Sequence, residues 1–468
     1  MRHRLLLPSL LLLATGLTAP LAPSAPATGP LRPLVTNPRW FTDGSGRAIL
    51  LAGSHTWANL QDAPVILPGA TSDPPPVFDY DAYLATLARH HHNFFRLWRW
   101  EVTSWSDKFT GLNRKYATPH PWLRSGPGHA NDGKPKFDLE RFNAAYFERL
   151  RARVDAARRQ GMYTAVMLFE GWAIQFSDGW EHHPFHAPNN RHGLEADANG
   201  DGRGIEFNTL VETDAGRRVL ALQQAYVRQV VDTVNDLDNV LYEIVNEAGP
   251  YSTAWQYAMI NYVKEYQAAK PKQHPVGMTF QFRGGTNAAL EASPADWISP
   301  NQGEATRSYW TNPCADCSKK IIVSDTDHMG GHTVGDNLWV WKTFTRGHNL
   351  LLMEDMTPSP TWQDSARVAM GQVRRWAGRM NLAAMTPQEK LTPTRYCLAA
   401  TGREYLVFQH DKGEFTVDLK DAPGPFAAEW FDINRDRTIP AKSVQGGAVR
   451  TFSTPFPGPA ALYLRVAP

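Results

Sequence analysis

Residues 239–249, NVLYEIVNEAG, constrain the fold more than any other stretch. Positions 240–245 form an apolar run with one acidic interruption, Glu243, and the run ends abruptly in Asn246-Glu247. A small-residue turn, Ala248-Gly249-Pro250, follows. Helix-period apolar patterns lie on both sides, at 213–236 and from 253 to about 269. A strand this apolar between two helices reads as one βα unit of a buried parallel sheet. An acid at its carboxyl end sits where a (β/α)8 barrel displays its chemistry.

The chain supplies seven further runs of this kind. They fall at 48–52, 93–98, 162–169, 275–280, 296–299, 320–324 and 349–353. Helical patterns separate most of them, at 80–91, 138–160, 338–347 and 365–380. The helix at 138–160 is expected to be capped by Asp138 and stopped by Gly161. Long loops rich in Gly, Pro and aromatics follow the second and third runs and are placed to shape a cleft. From about residue 392 the pattern changes to short alternating runs at 405–409, 414–419, 427–431, 449–452 and 461–466. These predict a small antiparallel β-sandwich. The expected division is a leader over 1–27, an α/β (β/α)8 TIM barrel over 28–388 and a β-sandwich over 389–468.

Reading the carboxyl ends of the runs collects His55, Arg96, Glu170, Asn246-Glu247, Asp325, Asp327-His328 and Glu354-Asp355. The set is rich in carboxylates and poor in His pairs that would hold a metal. Two facing carboxylates, one protonated and one ionised, are what hydrolysis of a glycosidic bond needs. The Asn-Glu pair ending the fourth run resembles that of the clan A, cellulase-like glycoside hydrolases, over roughly residues 35–385. The resemblance implies that Glu247 is the acid/base, that Asn246 hydrogen-bonds the sugar, and that the reaction retains anomeric configuration. It also implies a Glu nucleophile ending the seventh strand. This chain has Asp325 there, shorter by one methylene, so Asp327 and Glu354 stand as alternates. Arg96, near the nucleophile in the clan, would keep that carboxylate ionised. His55, Trp57, Trp98, Glu170, Trp172 and His328 are candidate substrate contacts, with packing as the other reading of each aromatic. No cofactor or metal is expected.

The last segment resembles a β-domain that follows such barrels and carries a collagen-binding label, through Glu404–Phe408, Gly413–Leu419 and Ala428–Phe431. The residues themselves indicate a sandwich whose job is packing against the barrel. Asp197-Ala-Asn199-Gly-Asp201-Gly202 resembles half a calcium loop but lacks the Glu that would complete it, which favours an Asx/Gly turn. His90-His91-His92 cannot share one helix face and suits a helix C-terminus. Cys314 and Cys317 are spaced for a small loop disulfide.

Arg2 and Arg4, the apolar stretch 5–13 and the small residues around Ala19 and Ala27 read as a secretory leader, with cleavage after either alanine. The expected location is outside the cytoplasm or in a periplasm. Removing 1–27 takes away two Arg and no acid, so the net charge of +2 becomes 0. A neutral chain has no electrostatic case for nucleic acid or an anionic membrane. The expected partner is a carbohydrate. The rivals are a sugar-binding barrel that has lost its nucleophile and a hydrolase of another class.

Overall fold

The computed structural model describes residues 25–63, 72–107, 112–301, 308–330, 334–354 and 363–467. The expected leader up to residue 24, and Asp355, lie outside the described residues. Eight parallel strands make the barrel: β1 Ala52–His55, β2 Phe94–Leu97, β3 Tyr163–Glu170, β4 Val240–Asn246, β5 Val276–Thr279, β6 Trp297–Ser299, β7 Ile321–Asp325 and β8 Asn349–Met353. Their order in the sheet is β1-β8-β7-β6-β5-β4-β3-β2, so chain neighbours are spatial neighbours. The Asn93 amide donates to Ala52 O at 3.0 Å and draws β1 to β2. A Cβ on Gly53 would stand 2.0 Å from Phe94 O, so only glycine permits that approach. Every residue of all eight strands is buried, which explains why the runs read as continuous apolar stretches.

Leu51, Phe94, Leu241, Trp297, Val323 and Leu351 fill the lower part of the barrel, and Leu31 and Phe41 of an N-terminal hairpin plug it. A Cβ on Gly277 would overlap the Trp297 ring at 1.9 Å, so the indole needs that glycine beside it. Ala27, the last residue of the expected leader, is itself packed: it is 6% exposed and its N–H reaches Arg158 O at 2.9 Å.

The helices around the barrel follow their caps. Asp79 accepts from Ala82 N at the start of Tyr80–Arg89, and Thr213 from Gly216 N before Asp214–Val234. Asp336 does the same for Trp339 N before Asn337–Thr345. Thr253–Ala268 and Asp364–Arg379 complete the covering elements that position the site.

Three expectations are corrected. The first strand begins at Ala52, not at residue 48, because Ile49 is used by the N-terminal hairpin, where its N–H donates to Phe41 O at 2.7 Å. Asp138 does not cap a helix. It lies within the strand Pro135–Phe142, opposite Leu123, and the helix Ala144–Arg159 starts after Asn143. Phe137 and Leu139 are both buried, so the local period is that of a strand. Cys314 and Cys317 are free thiols, and Cys317 Sγ lies 2.9 Å from Tyr309 Oη. The loop after β2 also carries two hairpins, Ser104–Asp107 with Leu112–Tyr116 and Trp122–His129 with Pro135–Phe142.

The C-terminal part is antiparallel. A six-stranded sheet starts at Thr386–Pro387 and continues through Cys397–Ala400, Glu404–Gln409, Ala460–Val466, Pro425–Asp432 and Arg437–Gln445. A two-stranded sheet, Glu414–Asp418 with Val449–Ser453, covers one face. The other face packs on the barrel helices. Trp341 lies 5.6 Å from Phe431, and Trp376 lies 5.3 Å from Tyr463.

Candidate active site

Arg96 organises the rim of the barrel. It sits one residue before the end of β2, and its fully buried guanidinium points inward. Nε donates to Glu243 Oε2 at 2.6 Å and Nη2 to Glu243 Oε1 at 2.5 Å. Nη2 also donates to Asn246 Oδ1 at 2.9 Å. Nη1 donates to Asp327 Oδ2 at 2.8 Å and lies 3.3 Å from Asp325 Oδ2. One cation thus ties the end of β2 to both β4 and the end of β7. The Trp98 ring lies beneath it at 5.0 Å, and His55 stacks on the same ring at 5.9 Å.

Asp325 is fully engaged. Oδ1 takes the His55 Nε2 contact at 3.3 Å and the Asp327 N–H at 3.0 Å, and Oδ2 faces Arg96. Burial would raise its carboxyl, but His55 and Arg96, with help from His328, hold it well below the usual carboxylate range. Asp325 is therefore an anion at any working pH. His328 is fixed by the Ser299 hydroxyl on β6, 2.9 Å from its Nδ1, and burial lowers its basicity.

Glu247 is the opposite case. It follows Asn246 at the end of β4 with φ 48°, a left-handed conformation that costs a non-glycine residue about 1 kcal/mol or more. Gln175 Nε2 clamps that turn, donating to Glu247 O at 2.8 Å and to Gly171 O at 2.9 Å. The Glu247 carboxyl hydrogen-bonds no described residue, and the residue keeps partial exposure. Protein crowding around the carboxyl, then the charges of Asp327 and Glu170, push it well above 4.5 against the pull of Arg96.

Glu170, at the end of β3, lies behind Asn246. Oε1 accepts from Trp172 N at 2.7 Å and Asn246 Nδ2 at 3.4 Å, and Oε2 accepts from Ala173 N at 3.0 Å. Burial raises it to about 8. Its neighbour Glu101, paired with Arg99 at 3.1 Å, is raised by burial to about 7. Asn246 thus bridges Arg96 and Glu170 with its two amide ends.

The sequence candidates divide. His55, Arg96, Asn246, Glu247, Asp325, Asp327 and His328 come together, with Glu170 one hydrogen bond away. Glu354 is buried in a separate ion pair with Arg367, which also holds Asp364. Trp98 is 2% exposed and serves as the floor under Arg96 and His55. Trp57 packs near it at 6.3 Å and keeps partial exposure. Trp172 lines a small recess with Trp105, Phe176 and Asp178. Sequence reading passed over Glu243 as a functional group, yet an acid inside an otherwise apolar buried strand demands a cation. Gln175 and Ser299 carried no local signal.

Asp325, Asp327 and His328 bring potential metal-ligating atoms within 4.8 Å of one another, the one such group among the described residues. The Arg96 guanidinium already supplies the positive charge between the two aspartates. In the calcium-like loop, Asp197 accepts the N–H groups of Gly200 and Gly202 at 2.8 Å, and Asp201 pairs with Arg203. That is a closed Asx turn.

Residues 97–283 match a family model described as a domain of unknown function, DUF6298. No curated protein matches the chain. Among solved structures, a glycoside hydrolase family 5 protein from Bacteroides vulgatus is similar over 95% of this chain and 95% of its own, with TM-score 0.61 and 11% identity. Another, described as a glycoside hydrolase, is similar over 94% of this chain and 97% of its own, with TM-score 0.59 and 12% identity. At such identities the likeness is one of fold.

Proposed function

We propose that this chain is a secreted glycoside hydrolase that cleaves O-glycosidic bonds of a poly- or oligosaccharide with two carboxylates and retention of configuration. One observation carries the reading: opposite protonation states are built into one rim. Glu247 is pushed well above its ordinary value, while across the rim the Arg96 guanidinium faces the aspartate pair Asp325 and Asp327 and favours their anionic forms. A proton donor and an anion coexisting at one pH is the arrangement glycosidic cleavage uses.

Glu247 protonates the leaving oxygen as the bond to the anomeric carbon breaks. A carboxylate of the Arg96-held aspartate pair meets the carbon from the other face. Glu247, now ionised, then takes a proton from the water that releases the sugar. Asn246, held by Arg96, can offer its second amide hydrogen to a sugar hydroxyl. The partly exposed Trp57 and Trp172 supply flat apolar faces for sugar rings. Retention requires the two carboxyl groups about 5–5.5 Å apart, against about 6.5–9.5 Å for inversion. The reaction calls for no cofactor. The C-terminal sandwich acts as a packing unit on the barrel helices.

Secretion rests on the leader-like residues 2–27. Cleavage after Ala19 preserves the Ala27 N–H bond to Arg158, whereas cleavage after Ala27 removes it. The mass of the exported N-terminus tests this.

The function is tested by incubating the protein with aryl glycosides of the common hexoses and pentoses and with plant and bacterial polysaccharides. Turnover with the first-formed sugar keeping its anomeric configuration by proton NMR supports the reading. Saturable oligosaccharide binding without turnover supports the rival, a sugar-binding barrel.

A further inference from the structure

The clan likeness places the attacking carboxylate at the end of β7, which is Asp325. The surroundings of the two aspartates favour a different assignment. Asp325 is 1% exposed at its side chain, and each of its oxygens faces a partner. Oδ1 is taken by His55 and by the Asp327 N–H, and Oδ2 is ion-paired with Arg96 Nη1 at 3.3 Å. A nucleophile needs a lone pair with room before it, and Asp325 has none without breaking this set.

Asp327 differs on each count. Its side chain is 8% exposed, and only Oδ2 is held, by Arg96 at 2.8 Å. No described residue hydrogen-bonds Oδ1. Of the carboxylates gathered at this rim, only Glu247 and Asp327 belong to residues that are not fully buried. Of the charges acting on Glu247, that of Asp327 is the strongest, ahead of Glu170 and Asp325. Glu247 therefore feels the more exposed aspartate, Asp327, more than it feels Asp325.

We infer that Asp327, two residues beyond the strand end, is the second catalytic carboxylate, and that Asp325 is a positioning residue that fixes Arg96 and the Asp327 backbone. The shortening from Glu to Asp at 325 then has a physical reason. The strand-end acid is withdrawn into the barrel to become an anchor, and the acid on the following turn takes its place. In the first step Asp327 Oδ1 donates an electron pair to the anomeric carbon. The bond to the leaving oxygen breaks, and that oxygen takes the Glu247 proton. In the second step water adds to the carbon, its proton returns to Glu247, and the bond to Asp327 breaks.

This inference rests on the glycoside hydrolase reading and deepens it. The test uses a 2,4-dinitrophenyl glycoside that the wild-type protein hydrolyses, because that leaving group needs no acid. Asp327→Asn is expected to lose about 10³-fold or more in kcat with its melting temperature little changed. Asp325→Asn is expected to melt lower but to keep measurable turnover, with a shifted pH profile. Azide added to Asp327→Gly is expected to restore turnover as a glycosyl azide of inverted configuration, and azide added to Asp325→Gly is not. Azide rescue of Asp325→Gly alone, or full activity of Asp327→Asn, would overturn the assignment while leaving the enzyme reading intact. A wild-type protein inert toward every glycoside would overturn both.

Discussion

Arg96 and Glu243 form a two-pronged ion pair inside the barrel, with Nε–Oε2 at 2.6 Å and Nη2–Oε1 at 2.5 Å and both side chains buried. The fork matches the carboxylate plane, so each partner satisfies the other's charge and geometry. It also leaves Nη1 free to face β7, which is how a residue deep in β4 aims the guanidinium at Asp325 and Asp327.

Breaking this pair strands a charge in the core. Glu243→Gln is expected to cost about 3–5 kcal/mol in urea unfolding. Arg96→Met leaves three carboxylates without their shared cation and should be at least as costly. The double variant should recover part of the loss, since the two effects share one contact. Additive losses would deny the coupling.

Glu170 and Glu101 predict an unusual stability profile. Burial raises them to about 8 and about 7 from an ordinary 4.5. Between pH about 4.5 and 8 the unfolded chain gives up protons that the fold retains, so stability falls as pH rises and levels off above about 8. Asp325 is shifted the other way. Its contribution is present above the usual 3.8 and is lost as pH falls through its depressed folded value. Denaturation at several pH values should therefore show highest stability near pH 4–5. Glu170→Gln should flatten the fall toward pH 8, by an amount on the order of a few kcal/mol.

Glu354 is expected to matter for folding and not for chemistry. Its carboxylate is locked to Arg367 and outside the Arg96 set. Glu354→Gln should lower stability by about 3–5 kcal/mol. Its kcat, measured below the melting transition, should stay within a few-fold of wild type. A loss of 10²-fold or more in a folded variant would return Glu354 to the catalytic candidates.

The left-handed turn at Glu247 is held by Gln175 through two carbonyls. Gln175→Ala should lower kcat by roughly ten-fold through a misplaced acid, with KM little altered. Equal losses in kcat/KM for substrates that need an acid and those that do not would point to general disorder instead.

Much of this architecture was legible because each barrel strand is buried on both faces. β4 and β8 fall within a residue of their apolar runs, since nothing else competes for Val240–Asn246 or Asn349–Met353. β1 slipped because Ile49 is as apolar as the strand proper, and only its pairing with Phe41 assigns it to the hairpin. Asp138-Leu-Glu-Arg-Phe142 suits a helix start or a strand equally, and the buried Phe137 and Leu139 decided it. Arg437–Gln445 is an exposed edge strand carrying Pro440, which masks the alternation that would reveal it. At the site, residue types at strand ends located Glu247, Asp325 and Asp327. Which of their oxygens were already occupied depends on Arg96 and His55 arriving from other strands, and a linear sequence does not display that.

The most direct measurement of the central claim compares Glu247→Gln with wild type on glycosides of poor and good leaving groups. The account predicts that kcat/KM falls about 10²–10⁴-fold on an unactivated alkyl glycoside or oligosaccharide and loses the alkaline limb of its pH profile, but falls little on the 2,4-dinitrophenyl counterpart, whose kcat drops because Glu247 also serves the water of the second step. Near wild-type hydrolysis of the unactivated substrate by Glu247→Gln would contradict it.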